Sequence, residues 1–238
     1  MTLRSPGCAG RLASAVLCVT LASAADPSAP TWPALVLEGE RLWKESPVPG
    51  NPVACATCHH DTGAVRAWAA SFPKVKPLPP PDTRVMTLLQ ANAEAVARHY
   101  RPRDPRPAAA AITAYLGALG AGVPVSPGLA LGQPVLPKRL LTLAASVARG
   151  RARYGRECSV CHDARAPAPA AAWFPREVDG RVEWLEDFLA EHAARARGKE
   201  RLAWDAPEMA DLVAYLVSHL AGRPQEVGAP ATGREVSP

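Results

Sequence analysis

Two short stretches carry the chemistry of this sequence. Residues 55–60 read CATCHH and residues 158–163 read CSVCHD. Each holds two cysteines three positions apart with a histidine directly after: Cys55, Cys58 and His59, then Cys158, Cys161 and His162. On a helical turn, positions i, i+3 and i+4 share one side. Two thiols and one imidazole are therefore presented together. This is the spacing that attaches a c-type haem. The thiols bond the two vinyl groups on one porphyrin edge, and the histidine reaches the iron from the same side.

Other uses of C-x-x-C explain less. A zinc site could take two such pairs, but these are 103 residues apart and each brings its own histidine, which zinc does not require. A thioredoxin-like pair would need a βαβ context, and no alternating strand pattern surrounds either motif. Two disulfides would leave His59 and His162 without a role. The sequence predicts two covalently bound haem c groups.

The elements that must position these motifs begin with an export signal. Residues 1–24 open with Arg4 and Arg11, continue as an apolar run from Leu12 to Leu21, and end on Ala22-Ser23-Ala24. Basic start, short apolar stretch and small-x-small site predict a cleaved secretory signal and a periplasmic protein. The run is too short to span a bilayer, and no other segment qualifies. Cys8 and Cys18 leave with the signal, so Cys55, Cys58, Cys158 and Cys161 are all the cysteines that remain.

The chain then repeats itself. Gly39-x-x-x-Trp43 precedes the first motif and Gly150-x-x-x-Tyr154 the second. Phe72-Pro73-Lys74 matches Phe174-Pro175-Arg176, and Arg84-Val85 matches Arg181-Val182. Ala114-Tyr115-Leu116 closes one half as Ala214-Tyr215-Leu216 closes the other. One order occurring twice predicts tandem domains of one fold. Helical periodicity runs over 83–99, 181–196 and 207–220, and a further helix is expected from about Lys138 to Tyr154. The prediction is all-α: two tandem cytochrome c-like haem domains at 33–120 and 138–221. A Gly/Pro-rich linker, 121–137, joins them, and a disordered tail follows from 222 to 238. Aromatic residues make up only 5% of the chain, so haem is expected to fill part of each core.

The far face of each iron takes a ligand or stays open. His60, Met86, His99, His192, Met209 and His219 are the candidates. His192 follows Leu185, Phe188 and Leu189 at helical spacing, so it lies on an apolar stripe where a haem should rest; a core histidine is the alternative. His99 shares a face with Val85, Asn92 and Val96, with Met86 as its rival for the first iron. Met209 lies on a core stripe and His219 at a helix end. His60 leaves the chain on the proximal side and reads as a surface residue, and the second motif has Asp163 in its place.

The matched residues over roughly 35–220 resemble those of class I-like c-type cytochromes, and more narrowly the SoxA family of dihaem sulfur-oxidation cytochromes. In that family a cysteine on the helix after the Arg-Val pair ligates the iron opposite the histidine, and the second-domain cysteine carries the sulfur substrate. Here those positions hold Ala95 and His192. The resemblance implies a relative without the catalytic thiol, with His192 at the ligand position.

Charge narrows the partners. Lys and Arg exceed Asp and Glu by 5 in the whole chain. Loss of Arg4 and Arg11 reduces that excess, and the propionates of two haems would roughly cancel the remainder. Nothing points to nucleic acid. The expected function is single-electron transfer between a periplasmic donor enzyme and an acceptor, within reach of sulfur-compound oxidation. Redox proteins are the expected partners, a complex with another cytochrome among them. The competing expectation is a haem enzyme, a sulfur-compound dehydrogenase or a peroxidase-like protein, with an open or displaceable iron ligand.

Overall fold

A computed structural model describes residues 29–77, 83–129, 134, 136–162, 174–178, 180–197 and 201–228. The predicted signal, 1–24, lies outside them. In the first half, α1 (Trp32–Lys44), α2 (Cys55–Cys58) and α3 (Thr62–Ala69) precede strands β1 (Lys74–Pro77) and β2 (Thr83–Met86). Helices α4 (Leu88–His99) and α5 (Arg106–Leu119) complete it. The second half runs α6 (Pro137–Glu157), β3 (Arg176–Val178), β4 (Arg181–Glu183), α7 (Leu185–Arg197) and α8 (Pro207–Ser218).

The local starts are written in the sequence. Asp61 caps α3 by accepting from the Ala64 amide at 3.0 Å. Thr87 and Gln90 form a reciprocal capping box on α4. Proline occupies the first turn of α1, α5, α6 and α8, where its missing N–H costs nothing.

The first helix of each half packs on its last, α1 on α5 and α6 on α8. A Cβ on Gly39 would stand 1.9 Å from the carbonyl oxygen of Ala111, and one on Gly150 1.9 Å from that of Asp211. Only glycine allows these crossings. Beside them the matched aromatic residues meet as pairs. Trp43 and Tyr115 have ring centroids 6.2 Å apart, and Tyr154 and Tyr215 5.3 Å apart. Beneath the second crossing, Ser146 donates to the buried Asp211 at 2.5 Å, and Arg149 forks onto the same carboxylate at 2.6 and 2.8 Å.

The structure departs from an all-α reading in its hairpins. β1 pairs antiparallel with β2, Lys74 opposite Met86, and β3 with β4, Arg176 opposite Glu183. The expected helices over 83–99 and 181–196 are each a strand followed by a helix, so both Arg-Val pairs lie on strands. The Thr87 cap fixes the break in the first half. The strands are too short for periodicity to separate them from helix.

The halves exchange parts rather than sitting as beads on a linker. After α5 and α8 the chain forms matching turns that pair across the junction. Gly122 N–H donates to Gln225 O at 3.0 Å, and Gly222 N–H to Val125 O at 2.8 Å. Val125 N–H donates to Arg223 O at 2.8 Å, and Gln225 N–H to Val123 O at 2.9 Å. Each pair of bonds is related by a local two-fold. Both turns need a glycine with positive φ, Gly122 at 76° and Gly222 at 82°. Beyond them Gly128 packs against Leu143 of α6, and Gly228 against Trp32 of α1. Each exit segment thus covers the first helix of the other half.

Residues 222–228 were expected to be disordered; this pairing and the Gly228–Pro175 hydrogen bond of 2.8 Å order them. Residues 229–238 lie outside the described residues. The predicted linker is likewise bonded where it is described, Ser126 and Gly128 donating to Ala70 and Ser71. The hairpins cross too. Val75 and Val85 share a core cluster with Leu143, Ala210 and Ala214, while Trp184 packs into the first-half core. Gln90 donates to the Trp204 and Ala206 carbonyls at 2.9 and 3.2 Å.

Candidate functional site

Cys55–Cys58 of the first motif form the short helix α2, and with His59 they line a cavity of about 620 Å3. This lies in the range of roughly 300–1,000 Å3 typical of cofactor sites. Cys55, Cys58 and His59 form one wall. Trp43, Trp68, Val96 and Ile112 supply apolar walls, and Met86, Ala95 and His99 also reach the cavity. Lys76, Arg98 and Asn92 add polar groups. An apolar slot with two thiols, an imidazole and cations matches a flat apolar cofactor bearing acidic substituents.

The individual groups are tuned by burial. Cys55 Sγ lies 3.5 Å from the Tyr100 hydroxyl, which donates to the Leu42 carbonyl at 2.7 Å. Burial pushes the Cys55 thiol up from its ordinary value, so it is a poor free nucleophile. Burial raises the Tyr100 phenol as well, helped by the Cys55 hydrogen bond. His59 sits between Trp43 and Trp68, with ring centroids at 5.8 and 6.2 Å. Desolvation, then Lys76, lowers its basicity and favours the neutral, ligating imidazole.

Of the first-site ligand candidates, Met86 is 1% exposed, whereas His99 is exposed at the end of α4. His60 is exposed and outside the cavity lining, in keeping with a surface residue.

In the second half, α6 delivers Cys158, and the turn after it carries Cys161 and His162. The structure brings His162 and His192 together, with ring centroids 5.8 Å apart. Two imidazoles that close could hold one metal ion between them. His192 also stacks on Phe188 at 5.1 Å. Desolvation, then His162 and Arg195, lowers His192. Residues 163–173, which follow the motif, lie outside the described residues. Met209 is fully buried with Leu185 and Val213, and His219 lies at the end of α8 against Tyr215.

Sequence reasoning passed over Trp68, Lys74 and Lys76. Lys74 Nζ lies 4.9 Å from the Trp68 and Phe72 ring centroids and donates to Ser71 Oγ at 2.9 Å. Phe-Pro-Lys was visible as a repeat; that its cation lies over rings was not.

No protein-family model matches the chain, and no curated protein does. Among solved structures, the chain is similar to the crystal structure of SoxXA from P. pantotrophus, with a TM-score of 0.60. The match covers 82% of this chain and 76% of that one at 17% identity. At that identity the likeness is one of fold alone: a helix-rich architecture shared with the SoxXA structure. No described helix is long and apolar enough to cross a membrane.

Proposed function

We propose that this chain is an exported, periplasmic dihaem c-type cytochrome that passes single electrons between a donor enzyme and an acceptor. The cavity at the first motif carries the reading: two thiols and a histidine on one wall of an apolar slot of about 620 Å3. Cys55 and Cys58 would hold one haem c with His59 as proximal ligand. Cys158, Cys161 and His162 would hold the second. When bound, haem supplies one-electron Fe(III)/Fe(II) chemistry.

The chain's residues do the rest. His192 closes the second site, which the 5.8 Å ring separation supports. His99, which lines the first cavity, would be the second ligand there. Lys76 and Arg98 neutralise acidic substituents at the cavity. With His192 and His99 so placed, bound haem would favour electron transfer over substrate binding. The fold likeness suggests sulfur-compound oxidation as the setting and redox proteins, another cytochrome among them, as partners.

A pyridine haemochrome assay with a redox titration tests this. Two haems per chain, both low-spin and neither binding CO, are expected. A single haem overturns the dihaem reading. Ready CO binding at either site moves the protein to the haem-enzyme class.

A further inference from the structure

The first hairpin gathers cations on one of its faces. In an antiparallel pair, residues directly opposite share a face, and alternate residues along a strand return to it. The register sets Lys76 opposite Arg84 and Lys74 opposite Met86, so these four side chains belong to one face of β1–β2. Val75 and Val85 take the other face, in a core cluster with Leu143, Ala210 and Ala214. Lys76 and Met86 of the cation face line the cavity of about 620 Å3. This face lacks compensation. Like charges directly opposite repel, as Lys76 and Arg84 do. Lys74 is buried, and Arg84 Nε is buried with no hydrogen-bond partner. Burial, then neighbouring cations with Arg139 of α6 among them, holds Lys74 and Lys76 below the ordinary lysine range. None of the ion pairs among the described residues includes Lys74, Lys76, Arg84 or Arg139. Arg98, which also lines the cavity, is already paired with Glu94.

The second hairpin shows the compensated form of the same build. Arg176 stands where Lys74 does, and Glu183, opposite it, stands where Met86 does. Arg176 Nε donates to the Glu183 carboxylate at 2.7 Å. Val178 takes the place of Lys76, so Arg181, the counterpart of Arg84, has no cation opposite it. One hairpin thus supplies its own anion. The other has more cations on the matching face and no anion among the described residues. A buried charged donor left unsatisfied is costly. Negative oxygens brought by a ligand would relieve that cost.

We propose that the face formed by Lys74, Lys76 and Arg84 is an anion site, in which Lys76 and Arg84 bind the oxygens of a carboxylate or small oxyanion beside the first cavity and Lys74 adds its charge. Two sources share this chemistry. One is a free inorganic oxyanion. The other is a carboxylate of the cofactor in that cavity, and only this second source rests on the haem reading above.

The test titrates the holoprotein with inorganic phosphate by calorimetry at low ionic strength. A free-anion site predicts phosphate binding that Lys76→Gln and Arg84→Gln each weaken about tenfold or more. Both positions are half-buried and glutamine stays long and polar, so neither variant empties a core. Arg84→Lys, which keeps the charge, should retain most of the affinity. Arg181→Gln, at the matching place of the second hairpin, should leave it unaltered. A site filled by the cofactor predicts no phosphate binding. Haem carboxylate bands in the reduced-minus-oxidised infrared spectrum should then move in Lys76→Gln and Arg84→Gln and stay in Arg181→Gln. Phosphate binding equal in all variants overturns the site, as does the absence of both signals. Asp82, just before β2 in sequence, lies outside the described residues. Phosphate binding that appears only in Asp82→Asn would mean that the chain fills the face itself, and also overturns the proposal. Haem content is measured separately, so a single haem overturns the dihaem reading while phosphate binding still decides the free-anion site.

Discussion

A buried ammonium with no anion beside it among the described residues must be held by something else, and Lys74 shows how. It is 8% exposed, with two rings and the Ser71 hydroxyl as its company. Burial, then Lys76 and Arg139, pulls its pKa from 10.5 down to about 7. The unfolded chain therefore binds more protons than the folded one between pH 7 and 10.5, and stability rises with pH across that window. Below about 7 the cost is present in full. It amounts to a few kcal/mol at about 1.4 per pKa unit, less what the rings return. Lys74→Met should raise the unfolding free energy at pH 6 by on the order of 2 kcal/mol, and the gain should vanish near pH 10.5. A gain constant across that range would contradict the account. His192 gives the second residue-scale prediction. On the proposed reading, in which His192 ligates a second haem, His192→Ala should open that site, turning its spectrum high-spin and admitting CO or imidazole. An unchanged low-spin spectrum removes His192 as ligand. The two C-x-x-C-H motifs were legible because their chemistry is local. The cation among rings was not, because nothing in Phe-Pro-Lys says what lies above it.

Helix crossings set what each element tolerates. Gly39 and Gly150 were legible as repeat partners, yet only the structure gives the reason. Each lies where a helix meets the backbone of its neighbour, and a β-carbon would stand 1.9 Å from a carbonyl oxygen. Gly39→Ala and Gly150→Ala should each cost at least the roughly 1–3 kcal/mol typical of overpacking, because the obstacle is backbone and cannot rotate away. Gly155, on α6 with nothing near its β-position, should behave oppositely. Gly155→Ala should gain about 0.5–1 kcal/mol, the helical preference for alanine. Urea denaturation of the three variants checks this, and equal effects would refute it. The long helices were readable from their apolar period. The hairpins were not: strands of three or four residues offer too few alternations, and the Arg-Val pairs merged into the helical pattern that follows.

At the scale of the molecule, the reciprocal exit segments decide how the protein unfolds. Order and repetition in the sequence made two halves visible. They could not show that each half finishes the other, because the pairing of residues 122–125 with 222–225 joins positions far apart in the chain. The junction holds four backbone hydrogen bonds, the crossed hairpins, the Gln90 bonds to 204 and 206, and the ion pair of Arg106 with Asp187 at 2.5 Å. Losing either half exposes Trp184 or the Val75–Leu143 cluster to water, which costs about 25 cal/mol per Å2 of apolar surface. Neither half should therefore persist alone once the other opens. Denaturation followed by tryptophan fluorescence and, on the dihaem reading proposed above, by the Soret band of each haem should give one coincident transition. Gln225→Pro, which removes the amide that bonds Val123, should shift all probes together and by the same amount. Two separated transitions, or a shift confined to the second-half probe, would mean that the halves are independent domains that merely touch.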